Sequence, residues 1–148
     1  MIARDLMTSA PFAVRENESV RRAAELMREH DVGFLPVLSD GTSGTLSGVL
    51  TDRDIAIRGV ARALPTDSFV ATVMSKPPLA TVRPESPAEE VIQLMERARV
   101  RRLPVVSGDD RLIGVVALAD VVRAIGRNDP NSVEALLERV SEATRAVV

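Results

Sequence analysis

Two short phrases in this chain carry residues able to hold an anion or a sugar. The first, GVLTDRD at residues 48–54, runs from an apolar stretch into Thr51, Asp52 and Asp54; the second, GVVALAD at residues 114–120, puts Ala117 where Thr51 stands and Asp120 where Asp54 stands. If a strand ending at Leu50 hands over to a helix beginning near Asp52, Thr51 and Asp54 lie at a helix N-terminus, where unpaired amides and the dipole favour an anion. A threonine hydroxyl there can donate to a phosphate oxygen, and a carboxylate three residues on can accept from two neighbouring ribose hydroxyls. Gly48 would allow close backbone approach across the hairpin. The same spacing also fits a capping box, which closes a helix end and binds nothing.

A second contrast bears on the same chemistry. The phrase RRLPV places Arg101 and Arg102 just before an apolar run, while the first copy has Gly33 and Phe34 at those positions. Of the 19 basic residues only Lys76 is lysine, so an anion site here would be built from guanidinium forks. Two solvated arginines at a strand start are the plainer reading of the same pair. Other candidates carry less. The chain has no cysteine, so a Cys nucleophile is excluded; His30 is the single histidine, with no second His or Cys near it to suggest a metal and nothing that places a base or oxyanion site beside it for Ser/His/Asp catalysis. Asp52 beside Asp54, and Asp109 beside Asp110, read as a helix first turn and a hairpin turn rather than an acid/base pair.

These residues must be positioned by a repeated unit, since the matching phrases recur about 67 residues apart. Each copy opens with a short segment ending in Met7 or Met74, then a proline-bearing link at Pro11 or at Pro77 and Pro78, then a brief extended piece around Val14 or Val82. Residues 23–27 and 91–95 have helical apolar spacing, with Met27 and Met95 facing the core. Ser86, Pro87 and Glu89 suggest a capping box with proline at the first helical position. Residues 34–38 and 103–106 begin two buried hairpins that end at Leu50 and Val116. A second helix follows each, over about 52–63 and 118–125. Each copy is thus β-α-β-β-α, too small to bury both faces of its sheet alone.

The expected divisions are residues 1–66, residues 67–128, and a C-terminal amphipathic helix from 129 to 148. The helix carries Val133, Leu136, Leu137, Val140 and Val147, a stripe suited to docking on its own protein or a twin subunit rather than to a membrane. With 148 residues, 45% of them apolar, the chain can bury a core. A net charge of −2, three Phe and no Trp or Tyr argue against nucleic acid. The N-terminal residues lack an apolar signal region and no run reaches membrane-span length, so cytoplasmic is the expected location.

Asp5 and Met7, LPV in both halves and G-x-x-T-x-x-D in the first resemble the CBS domain, the cystathionine-β-synthase-type motif that occurs in tandem as a Bateman module. The resemblance covers residues 1 to about 127 and is strongest to small stand-alone bacterial two-CBS proteins. It implies an α/β fold of two β-α-β-β-α repeats packed about a pseudo-twofold axis, plus the C-terminal helix, with two clefts that take adenine nucleotides or adenosyl compounds. Carried over residue by residue, the first cleft comprises Thr51 and Asp54 with Pro78, Leu79, Ala80, Arg101 and Arg102. The second comprises Ala117 and Asp120 with Pro11, Phe12, Ala13, Gly33 and Phe34. It lacks the hydroxyl and the basic pair, so it is expected to be empty, weak, or selective for a less phosphorylated ligand.

The function implied is a non-enzymatic regulatory module holding AMP, ADP, ATP or an S-adenosylmethionine-like compound, and acting through a protein partner by conformational or oligomeric change. No cofactor or metal is expected. A homodimer through the second helices (Ile55, Ile57, Val60; Val121, Val122, Ile125) is expected by analogy. The alternative is a ligand-free structural or protein-interaction module, its clefts filled by side chains such as Phe34. A nucleotide-directed enzyme lacks a base or metal cluster.

Overall fold

The computed structural model describes the chain apart from residues 42, 128 and 146–148 and the side chains of residues 130 and 143–145. In chain order the elements are α1 (Ala3–Leu6), β1 (Thr8–Ser9), β2 (Val14–Arg15), α2 (Val20–His30), β3 (Phe34–Leu38), β4 (Leu46–Thr51) and α3 (Asp52–Asp54). They continue with α4 (Ala88–Ala98), β5 (Arg102–Val106), β6 (Leu112–Ala117), α5 (Leu118–Gly126) and α6 (Pro130–Arg145). The fold is mixed α/β, with both hairpins and the long helices where the change of apolar period places them.

The chain forms two compact bodies. One contains Met1–Ser9, Ala80–Ser107 and Ile113–Val148; the other contains Ala10–Leu79 and Gly108–Leu112. In the second body β2 runs parallel to β3 and β3 antiparallel to β4, with Val14 opposite Val37 and Leu35 opposite Leu50. Ser75 forms an antiparallel bridge to Val49 on the outer edge of β4. The first body repeats this order: β1, β6 and β5 form a sheet, with Val82 bridged in parallel to Val105. The opening segments are therefore exchanged. Thr8 and Ser9 pair with Val115 and Gly114 of the second copy, and Ser75 pairs with Val49 of the first.

The exchange explains two glycines. A Cβ on Gly48 would lie 2.6 Å from the Met74 sulfur and 2.8 Å from the Ser75 carbonyl oxygen; on Gly114 it would lie 2.6 Å from the Met7 sulfur and 3.0 Å from the Thr8 oxygen. Gly48 thus makes room for the opening segment, which corrects the expectation of an approach across its own hairpin.

Each body has its own valine-rich core. Val14, Ala23, Leu35, Val37, Leu50, Val70 and Val73 are fully buried in one, with Met27 beside them. Val91, Met95, Leu103, Val105, Val116 and Val121 are fully buried in the other. On α2 the buried Val20, Ala23 and Met27 form one stripe, and the Ser19 hydroxyl caps the helix by accepting the Arg22 amide at 3.0 Å. On α4 the expected Ser86 box does not form: Pro87 is itself the N-cap, and the Ser86 hydroxyl accepts the Arg83 amide at 3.3 Å. Burying Ser86 turned inward to that turn leaves it unable to serve the helix.

The helix expected over 52–63 is helical throughout but irregular. After α3 comes a π turn over Ile55–Gly59 and a 3-10 turn over Val60–Arg62, ended by Ala63 with a left-handed φ of 55°. Its counterpart α5 is a regular α-helix. Val121 of α5 is fully buried in its own core, so it is removed from the expected dimer face, while Ile57 and Val60 are exposed.

The C-terminal helix α6 docks on its own body. Leu136 and Val140 enter the core, Val133 is half-buried, Leu137 is exposed, and Val147 lies outside the described residues. Arg139 adds polar contacts to α4, with Nε 2.8 Å from Glu96 Oε1 and a terminal nitrogen donating to Glu96 Oε2 at 3.1 Å. No helix among the described residues is long and apolar enough to cross a membrane.

Candidate functional site

The end of β4 presents Thr51 and Asp54 together. The ladder pairs Thr51 with Phe34, and the Asp52 amide donates to the Gly33 carbonyl at 3.1 Å. A Cβ on Gly33 would come within 2.8 Å of the Asp52 carboxylate, so glycine lets this corner close. Thr51 is extended (φ −113°, ψ 161°), the geometry of an N-cap. Its hydroxyl accepts the Asp54 amide at 3.1 Å, and Asp54 Oδ2 accepts the Thr51 amide at 2.9 Å.

The capping box is therefore formed, and it uses half of each side chain. Asp54 keeps Oδ1, with the nearest cation, Arg58 Nη1, 3.9 Å away. The Asp54 side chain is only 15% exposed. Thr51 accepts with its oxygen and retains its proton for donation. One acceptor and one donor at the first turn of a helical run suit adjacent sugar hydroxyls or a phosphate oxygen.

In the same body, the edge segment bridged to Val49 leads to Pro78, exposed, and Leu79, half-buried. Arg58 holds that segment: Nη1 donates to the Val73 carbonyl at 3.2 Å and the Met74 carbonyl at 3.1 Å, with the Ser75 hydroxyl at 3.5 Å. Arg58 escaped the sequence reading, though its position four residues after Asp54, with Ala124 at the equivalent place, was a visible asymmetry.

Pro11, Phe12 and Ala13 precede β2. Phe12 is half exposed and stacks on His30, the last residue of α2, with ring centroids 3.6 Å apart and planes 12° from parallel. Pairing these two rings was not foreseen. Phe34 is half-buried.

In the other body Ala117 is the N-cap of α5, with no hydroxyl to complete the box. Asp120 Oδ2 accepts the Ala117 amide at 3.4 Å, and Oδ1 lies 3.4 Å from Arg123 Nη2. The Leu118 amide donates to the Arg101 carbonyl at 2.9 Å, the equivalent of the Asp52–Gly33 bond. Arg101 and Arg102 are exposed at the mouth of a hollow of about 480 Å³ floored by Ala117, Leu118 and Val122. Ala80 is half-buried against this core.

Thr51, Asp54, Pro78 and Leu79 belong to one body and Ala80, Arg101 and Arg102 to the other. Of the second set, Ala117 and Asp120 share one body, and Pro11, Phe12, Ala13, Gly33 and Phe34 share the other.

A family model, the CBS domain, matches residues 3–59 and 70–127. The chain belongs to the CBS domain family. The two CBS matches coincide with the two copies of the repeat, each containing a first helix, an LPV hairpin and the acidic residue after its last strand. The chain is 40% identical over 121 residues to hypoxic response protein 1 of Mycobacterium tuberculosis, covering 82% of each. Among solved structures it resembles Hypoxic Response Protein I with two coordinated zinc ions, at 38% identity and a TM-score of 0.75, covering 83% of this chain and 98% of that one. It also resembles CBSX2 in complex with AMP, at 32% identity and a TM-score of 0.75, covering 85% and 96%. This CBS protein has no cysteine and a single histidine, and the described residues hold no group of three or more His, Cys, Asp or Glu that could take a metal ion.

Proposed function

We propose that this protein is a non-enzymatic regulatory module that binds an adenine nucleotide or adenosyl ligand and signals to a partner by conformational or oligomeric change. The observation that carries the reading is the division of labour at Thr51 and Asp54. Their reciprocal cap consumes one oxygen of each and leaves Asp54 Oδ1 and the Thr51 proton for a ligand. The AMP complex of the related CBSX2 supports the ligand class. In this reading Asp54 takes ribose hydroxyls, Thr51 lies by ribose or phosphate, Pro78, Leu79 and Ala80 face the adenine, and Arg101 and Arg102 neutralise phosphate. The Ala117 and Asp120 site, with Pro11, Phe12, Ala13, Gly33 and Phe34, is empty or weak, since it lacks the hydroxyl and Arg123 already engages Asp120.

The functional divisions are the two repeats, 1–66 and 67–128, and the C-terminal segment 129–148. The module is cytoplasmic and acts as a homodimer that uses the exposed Ile57 and Val60. Elution of the purified protein at monomer mass would refute the dimer.

A ligand-free interaction module is the second reading, favoured by the fact that the Thr51–Asp54 box is complete without a ligand. A thermal-melt panel of AMP, ADP, ATP and S-adenosylmethionine separates the two. A ligand at a hundred times its dissociation constant stabilises by about 2.7 kcal/mol, a shift of several degrees. No shift with any of the four favours the interaction module.

A further inference from the structure

Arg58 faces a carboxylate and two backbone carbonyls at once. It leaves the π turn that follows α3, has Asp54 Oδ1 at 3.9 Å, and donates from one nitrogen to the carbonyls of Val73 and Met74 at 3.2 and 3.1 Å. Residues 73–75 are the end of the exchanged segment. They are fixed on their other side by two bonds to β4, Val49 amide to Ser75 carbonyl at 3.1 Å and Ser75 amide to Val49 carbonyl at 2.9 Å. Three and four residues further on lie Pro78 and Leu79.

The second copy has no such arrangement. Ala124 stands at the position of Arg58 and packs on the core, α5 has no π turn, and Arg123 folds back on Asp120 and the Ala119 carbonyl. A π turn inside a helix changes which residues face a neighbouring segment, and such turns are frequent at functional sites. Here it coincides with the copy that keeps both Thr51 and the cation.

We propose that Arg58 is a positioning residue that ties the Asp54 carboxylate to the segment 73–75, so that the sugar-binding acid and the link carrying Pro78 and Leu79 respond as one unit. Arg58 does not itself touch the ligand. It orients Oδ1, and it converts a change at Oδ1 into a change in the hold on two backbone carbonyls. The ligand part of this proposal rests on the adenosyl-binding reading above; the coupling within the protein does not.

Two measurements on the full chain test it. In the ligand-free protein, amide exchange at Ser75 is followed by NMR in wild type, Asp54→Asn, Arg58→Gln and the double variant. Asp54→Asn is expected to speed exchange at Ser75, and to have no further effect once Arg58 is Gln. An unchanged Ser75 amide in Asp54→Asn, or an equal effect in both backgrounds, overturns the coupling. AMP is then titrated into the same variants and into Arg58→Lys. Arg58→Gln is expected to weaken AMP by about tenfold, the scale of one charge-assisted contact, with Arg58→Lys regaining most of it and with little added loss in the Asp54→Asn background. Full affinity in Arg58→Gln, or the same loss in both backgrounds, overturns Arg58 as a positioning residue. If the wild type does not bind AMP, the same titrations are run with S-adenosylmethionine; absence of binding of both refutes the ligand reading, while the exchange result still decides the coupling.

Discussion

Thr51 and Asp54 cap one another, the hydroxyl of one accepting the amide of the other at 3.1 Å and the carboxylate returning the bond at 2.9 Å. The second copy retains only the carboxylate half, at 3.4 Å from the Ala117 amide. Ala117 has the extended N-cap backbone, φ −100° and ψ 148°. Thr51→Ala is therefore expected to cost about 1 kcal/mol, and Ala117→Thr to stabilise by about the same amount, the usual worth of an N-cap hydroxyl. Urea midpoints at unchanged slope check both.

The exchanged segments predict strong position dependence among the glycines. Gly48→Ala and Gly114→Ala each set a Cβ against a methionine sulfur and a backbone oxygen, at 2.6 and 2.8 Å and at 2.6 and 3.0 Å. Overpacking of this kind costs about 1–3 kcal/mol. Gly108, which a Cβ would leave without neighbours, is expected to tolerate alanine. Trimming Met74 in the Gly48→Ala background should recover only part of the loss, because the Ser75 carbonyl oxygen cannot retreat from β4.

Much of this architecture was legible in the residues, because the change from helical to alternating apolar spacing marks α2, α4 and both hairpins. The exchange of opening segments was not. Thr8, Ser9 and Ser75 are too short a stretch to show a period, and their partners are chosen by non-local pairing. The π turn was hidden too, since Ile55, Ile57 and Val60 read as an ordinary helix. At the site, Thr51 and Asp54 were visible from type and spacing. The role of Arg58 depended on knowing that residues 73–75 return beside β4.

The tail helix is held chiefly by its apolar stripe. Leu136 is buried in the core, whereas the Arg139 side chain is 48% exposed. Leu136→Ala is expected to cost about 2–4 kcal/mol, in the range for buried leucine truncations. Arg139→Ala should cost under about 1 kcal/mol, as solvent-screened ion pairs do. Circular dichroism melts of the two variants make the comparison.

Asp129 gives a local pH marker at the start of α6. Its carboxylate accepts from the Ser132 hydroxyl and, at 3.1 Å, from the Asn131 amide, and these bonds hold its pKa below the ordinary value of 3.8. A depressed folded pKa means the contribution is present above the unfolded pKa and is lost as pH falls through the folded one. In an NMR titration Asp129 should protonate at lower pH than a free aspartate, and Ser132→Ala should move it back up.

The central claim, a ligand held at Asp54, is tested most directly by calorimetric titration of AMP and of S-adenosylmethionine into wild type and Asp54→Asn. The expected result is saturable binding of at least one of them at a single site per chain, weakened at least about tenfold by Asp54→Asn in a protein that still folds. Binding that is indifferent to Asp54→Asn, or no binding of either compound, would contradict it.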